Sequence, residues 1–571
     1  MNNSKRSTDI FSAFKHWLGF IQTTSQQVLS HELVGIDYLC VILVCIGAGY
    51  FAALQGFDSL PVNADSFAPF EEAKSLISNP ETHLFNIHFS RIPSIFPDIT
   101  INALVQLIFP KAGFLEIFSI YSWVTSSLFL LLATLLIQQI QSVTQSLTAI
   151  SIRVSLVTVS LLNISHQFNI IYAHVITPVH HGGNILNTLL LLTLALQLLK
   201  RTEARNIRLA LLILTTLAVL SNKIAIFTAV FPIGFLIVCY LRGNERRNSL
   251  IQLALATAAG LVLGSLLNEQ CANPKINLFG TGSAFIHYFQ LSWITSASAL
   301  FSILSLWFIC RSKSTLSQST SSGLTAISLS SLSYFLYLPV ITSSGDAPIR
   351  YICIAYALIV VFFGYYINTM RNYRYPIVLI TLVTVTVLSF KSPVGPYLNL
   401  KEHQSLKQAL LERSERIEPF KNDAARFIHK MGYDNYLGLG DYWTAGAALV
   451  TNSKLQIVPI LKSGNPDFWG ATPQDIKQQI KPLDKSKAYV VVEYLQSRVN
   501  QKFQKKIQSK YGEPDIIWNY DDENRTFTRD EIDTNNKILV YDNPEIYKRV
   551  SRKSKKFKRE CNKASPNYRV R

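Results

Sequence analysis

Apolar residues fall in long runs over the first two thirds of the chain and in short bursts over the last third. Runs near 20 residues, enough to cross ~30 Å of hydrocarbon, recur at 33–54, 113–139, 148–165, 183–199, 207–221, 223–241, 249–268, 291–310, 322–341, 350–369 and 375–391. The pattern predicts about eleven transmembrane helices. The first reads as an uncleaved anchor, because its apolar run exceeds a signal h-region and no clear small-x-small cleavage site follows. The stretch 207–241 is too long for one span at 1.5 Å per residue. The polar triplet Ser221-Asn222-Lys223 interrupts it, so two short helices meeting at a turn fit best.

From about 392 the pattern changes. Helical stretches are expected at 402–415, 421–431, 473–481 and 498–510. Short strands are expected at Leu455–Leu461, Ala488–Tyr494, Asp515–Tyr520 and Lys537–Tyr541. Pro459 confines the first of these to a sheet edge. Gly438-Leu439-Gly440 is too short for a dinucleotide fingerprint. The expected fold is a polytopic α-helical membrane protein with a C-terminal extracytoplasmic α/β domain. Its parts are a cytoplasmic segment 1–32 with an interfacial helix near 10–22, a transmembrane domain 33–391 containing a long outer loop 55–112, an α/β domain 392–550 and a basic tail 551–571.

Composition agrees. Hydrophobic residues make up 49% of the 571 and charged residues only 16%, against about 25% charged in soluble domains. Mean hydropathy is +0.22. The net charge of +18 does not point to nucleic acid once its location is considered. Lys200, Arg201, Arg205 and Arg208, then Arg242, Arg246 and Arg247, then Arg311 and Lys313, then Arg371 and Arg374 occupy one alternate set of connections. Those connections are expected to be cytoplasmic, with the N-terminus on the same side and the C-terminus outside. The tail cations Lys553, Lys555, Lys556, Lys558 and Arg559 stand apart as candidates for contact with anionic lipid or glycan. The seven cysteines show no C-x-x-C pair, so neither a zinc site nor a disulfide scaffold is expected. Cys271 and Cys561 fall outside in this topology and could pair.

Candidate chemistry gathers on the expected outer face. Asp65, shortly after the first span, could take a proton from an acceptor hydroxyl or could cap a helix; Glu71 and Glu72 are weaker candidates. Arg91 and Asp98 flank a Pro-rich turn and could pair with each other, hold substrate or hold a metal. Asp98 also reads as a cap for the next apolar segment. His166, His174, His180 and His181 enrich the third outer loop. His180-His181-Gly182-Gly183 opens a span, where free helix N–H groups suit a phosphate. Lys223 and Arg350 sit at outer span ends. Each could meet a lipid phosphate or simply snorkel, and Arg350 could pair with Asp346.

These motifs resemble the integral-membrane glycosyltransferases of the GT-C superfamily, closest to uncharacterised bacterial members. The matching elements are Asp65-Ser66 after the first span, Pro93-Ser94-Ile95-Phe96-Pro97-Asp98 in the same loop, and His180-His181-Gly182 before a span. Arg350-Tyr351 opening a late span and Tyr442-Trp443 in the terminal domain complete the set. Where the resemblance leads one to expect Ser-Asp, this chain has Ser221-Asn222-Lys223.

The resemblance implies transfer of a sugar, with inversion, from a polyprenyl-phosphate donor to an extracytoplasmic glycan, lipid or protein acceptor. Asp65 would be the base. Asp98, Arg91, His180, His181, Lys223, Arg350 and Tyr351 would bind substrate. Tyr442 and Trp443, with Trp469 as a further candidate, would contact the acceptor. A divalent metal could be held by Asp65 and Asp98, although nothing requires one. The location implied is a bacterial inner membrane. The rival functions are a membrane transporter, a lipid-linked glycan flippase and a polymerase. The transporter and flippase readings predict internal repeats, which the sequence does not show.

Overall fold

The computed structural model describes residues 35–57, 64–78, 93–141, 146–164, 166–177, 182–200, 205–267, 293–311, 316–333, 353–369, 419–441, 457–460, 484–492, 500–532 and 536–564, with isolated positions between them. Helices lie on the apolar runs. They are α1 (Gly35–Phe57), α4 (Phe114–Ile140), α5 (Leu147–Ile164), α7 (Gly182–Lys200), α8 (Arg205–Ser221), α9 (Phe231–Tyr240), α10 (Gly243–Leu266), α11 (Trp293–Arg311), α12 (Gln318–Leu332) and α13 (Cys353–Thr369). Among the described residues, α1 from Asp37, α4, α7 and α10 are long and apolar enough to cross a membrane. The expected run 375–391 lies outside the described residues.

Between the runs, α2 (Ala64–Ser78) and α3 (Thr100–Ile108) form in the expected outer loop, and α6 (His166–Ile176) forms in the histidine-rich loop. The helix α6 is a departure from expectation. Its residues Ile171, Tyr172, Ala173, Val175 and Ile176 are buried in the main core, so their apolar surface goes to helix packing. Leu406, from the stretch expected to open the terminal domain, is buried in this same helical core.

The bundle has two distinct ends. At one end Asp37 in the first turn of α1 accepts from Leu147 N (3.2 Å), Thr148 N (3.3 Å) and Ser146 Oγ (2.9 Å), and so caps α5. There too Lys200 Nζ donates to the Gln139 carbonyl at 2.7 Å, Thr320 Oγ1 to the Ile140 carbonyl at 3.0 Å, and Arg208 meets Glu245 at 3.5 Å. This end therefore collects Lys200, Arg208 and the α9–α10 connection with Arg242, Arg246 and Arg247. The opposite end receives the C-termini of α1 and α8 and the N-termini of α4 and α7.

The core between the ends contains many hydroxyls. Thr134, Thr158, Ser160 and Thr193 donate to carbonyls four residues back. Each thus satisfies its hydroxyl locally, as burial away from water requires.

The C-terminal part is a six-stranded sheet. Its strands are β1 (Leu437–Asp441), β2 (Ile457–Ile460), β3 (Lys487–Val492), β4 (Ile516–Asp521), β5 (Thr526–Thr528) and β6 (Lys537–Asp542), in the order β2-β1-β3-β6-β4-β5. β1 runs parallel to β2 and β3, and β6 is antiparallel to β3 and β4. Pro459 sits on the terminal strand β2, as its missing N–H demands. Alternation divides the side chains into two layers. Leu439, Val490 and Leu539 face α15 (Asn500–Tyr511) and α16 (Pro544–Ala564); Tyr489, Val491 and Ile538 face α14 (Pro419–Lys430). The helix α16 runs across the expected boundary at 550, because Ile546, Val550 and Ser554 continue one buried stripe at four-residue spacing. Residues 473–481 lie outside the described residues.

Candidate functional site

At the end opposite the basic connections, the turn Ile95–Ile99 of the expected outer loop is wedged into the bundle. Ser94 before it takes a left-handed conformation (φ 43), Phe96 is extended, and the Phe96–Pro97 bond is cis. Ser221, the last residue of α8, ties down two backbone amides of this turn. Its carbonyl accepts from Ser94 N at 3.1 Å and its Oγ from Phe96 N at 2.8 Å. Asn187 of α7 donates to the Phe96 carbonyl at 3.1 Å.

Asp98 is only 3% exposed. The Tyr121 hydroxyl of α4 donates to its Oδ1 at 2.6 Å, the short separation of a charge-assisted bond. A Cβ on Gly183, in the first turn of α7, would lie 2.5 Å from Asp98 Oδ1 and 2.8 Å from Pro97 Cδ. Glycine is needed there for close approach. In this geometry Asp98 is a buried anchor locking the turn to α4 and α7, and it lies within the turn rather than before α3 as a cap.

The helix carrying Asp65 reaches the same face of α4. Phe114, Phe118 and Tyr121 are spaced i, i+4, i+7 and share one side. Phe67 and Phe70 of α2 pack on Phe114 with ring centroids 5.0 and 5.4 Å away, and Phe57 of α1 stacks on Phe118 at 6.5 Å. Gln106 of α3 donates to the Phe70 carbonyl at 3.0 Å, and Ala73 packs with Ile99 and Leu267. Asp65 thus lies in the first turn of an element pinned beside the Asp98 turn; its side chain is outside the described residues. Glu72 on α2 is buried at 1% exposure.

Beside the Asp98 turn, Asn222 Oδ1 accepts from Ile224 N at 3.0 Å and shapes the α8–α9 connection, leaving Lys223 exposed. Thr228 bonds Thr188 at 2.9 Å and accepts from Asn184 Nδ2 at 3.3 Å, and the Ser330 hydroxyl bonds its carbonyl. The Oδ1 of Asn184 is buried with no hydrogen-bond partner.

Three of the motifs singled out in the sequence therefore meet: the Pro-rich turn with Asp98, the Gly182-Gly183 helix start, and the Ser221-Asn222-Lys223 turn. Arg91, His180, His181, Arg350, Tyr351, Tyr442, Trp443 and Trp469 lie outside the described residues, as does Cys271. Tyr121, Asn184 and Asn187 were not foreseen. Tyr121 and Asn187 lie inside runs whose apolar neighbours mask a single polar position, whereas Asn184 directly follows a quoted motif. Among the described residues no group of three His, Cys, Asp or Glu could hold a metal ion. No family model, curated protein or solved structure matches the chain.

Proposed function

We propose that the protein is an inverting glycosyltransferase that moves a sugar from a polyprenyl-phosphate donor to an extracytoplasmic glycan, lipid or protein acceptor. The reading includes a multi-pass arrangement of about eleven spans in a bacterial inner membrane. The N-terminus is cytoplasmic, and the sheet domain and the Asp98 end of the bundle lie outside. The supporting observation is the packing of the outer-loop turn 93–98 onto the start of α7 and the end of α8, at the end of the bundle away from the basic connections. A lipid-linked phosphate presented at that face would meet the α7 N-terminus, a helix end that favours an anion, with Lys223 beside it.

In the proposed reaction Asp65 accepts the proton of the acceptor hydroxyl. The oxygen attacks the anomeric carbon, the bond from that carbon to the phosphate oxygen breaks, and polyprenyl phosphate leaves with the electron pair. Lys223 and Arg350 stabilise the charge that develops on the phosphate, with Arg91, His180, His181 and Tyr351 assisting. Asp98 positions the turn. Tyr442 and Trp443 offer stacking surfaces to the acceptor.

The test is transfer by the purified protein in lipid, with a panel of radiolabelled polyprenyl-phosphate sugars and with Asp65→Asn beside it. Label should reach acceptor with the wild-type protein and stop with the variant, which should remain folded. Near-normal turnover by Asp65→Asn would sink the role of that carboxylate. No transfer from any donor by folded protein would favour a transporter or flippase.

A further inference from the structure

The sheet layer made by α15 and α16 has an unusual charge distribution. Both helices turn their apolar residues inward: Ile507 and Tyr511 from α15, Ile546 and Val550 from α16. The outward positions of α16 between 548 and 556 are then Lys548, Arg549, Arg552, Lys553, Lys555 and Lys556, all exposed. On α15, Lys505 and Lys506 are exposed as well. The end of α15 meets the first half of α16. Arg549 bonds the Lys510 carbonyl and stands over the Tyr511 ring at 5.9 Å, and Asn543 reaches the Tyr511 carbonyl at 3.4 Å. Partial burial holds the Lys510 ammonium below its usual range, and nearby Arg549 and Lys553 add to the effect. Against these cations α16 offers two acids, Glu545 and Glu560, and Lys548 engages the first at 2.6 Å. Folding thus concentrates like charge on one face.

We propose that the outward face of α15 and α16 is a docking surface for the anionic phospholipid headgroups of the bilayer that holds the helical bundle. Charge complementarity carries the choice of occupant. Each lysine or arginine near an anionic surface adds attraction, and a chain with apolar membrane-length helices keeps such a surface within tethering distance. A protein partner fits less well. Protein interfaces are built around aromatic and apolar anchors, whereas Ile507, Tyr511, Ile546 and Val550 of these helices are spent on the sheet. The docking is electrostatic, so salt weakens it. It does not depend on the glycosyltransferase reading.

The full-length protein would be placed in nanodiscs of phosphatidylcholine, or of phosphatidylcholine with phosphatidylglycerol, and its lysines acylated and read by mass spectrometry. Acylation of Lys505, Lys553 and Lys555 should slow about threefold or more in the anionic discs and recover at high salt. Lys430 on α14, across the sheet, should be unchanged. In Arg552→Gln/Lys555→Gln, protection of Lys553 should fall with the fold retained. Equal rates in the two lipids would overturn the proposal, as would equal slowing at Lys430. Protection by soluble dextran sulfate but not by phosphatidylglycerol would also overturn it, and would make the face a polyanion receptor.

Discussion

Tyr121→Phe is the sharpest test of the buried anchor. The substitution keeps the ring and removes one oxygen, so packing around α4 is preserved. What is lost is the 2.6 Å bond to Asp98, a residue 3% exposed, from a tyrosine that is fully buried. A hydrogen bond to a charged group contributes roughly 1.5–3 kcal/mol net. Side-chain hydrogen bonds between membrane helices average only about 0.6 kcal/mol. The expected coupling between Tyr121 and Asp98 is therefore above ~1.5 kcal/mol, well clear of that average. The assay is equilibrium unfolding in mixed micelles titrated with SDS, on wild type, Tyr121→Phe, Asp98→Ala and the double variant. The cycle isolates the pair from the cost of each truncation. A coupling at or below ~0.6 kcal/mol would refute the view that this pair anchors the turn.

Gly183→Ala should destabilise by about 1–3 kcal/mol, the usual cost of overpacking, and should lower transfer, because its Cβ would press on Asp98 Oδ1 at 2.5 Å; the same unfolding titration and transfer assay check both. Asp37→Ala should cost about 0.5–2 kcal/mol by removing the cap of α5, while Asp37→Asn should retain most of it. In the sheet domain, hydrogen bonds from the side chain and the backbone amide of Asn524 hold the Asp521 carboxyl below the ordinary carboxylate range. A carboxylate with a lowered folded pKa contributes stability that is present above its unfolded value and lost as pH falls through the folded one. Protection of β4–β5 amides, corrected for intrinsic exchange, should therefore fall below about pH 4, and less steeply in Asp521→Asn.

Much of the helical layout is legible because apolar runs fix where helices lie, and the break at Ser221-Asn222-Lys223 is visible as a polar interruption. Strands β3, β4 and β6 could be read from their β-branched and aromatic runs. β1 could not: Gly438 and Gly440 resemble a turn, yet the alternation places Leu437 and Leu439 in the core and leaves the glycines on the other face. Short β5 carries too few apolar residues to register. The helix α6 was hidden because histidines at its start and end made it look like a loop. The motifs at the site could be singled out one by one. Their meeting depends on partners far apart in the chain: Tyr121 with Asp98, and Ser221 with Ser94 and Phe96, 125 residues apart in the last case. Periodicity carries no information about such pairs.

The double grip of Ser221 on the Asp98 turn has a mechanical consequence. Because α8 ends in the residue that holds the turn, an axial shift or tilt of α8 carries Asp98 with it. With 17 residues, α8 is about 25 Å long, and it turns Leu209 and Ile213 outward. A helix shorter than the hydrocarbon thickness adjusts to it at a modest energetic cost. In the proposed eleven-span arrangement, in which α8 crosses the membrane, bilayer thickness would thereby be geared to the geometry of the site. Transfer rates in nanodiscs of graded acyl length should pass through an optimum; a flat profile would mean that the turn is held rigid by α4 and α7 alone.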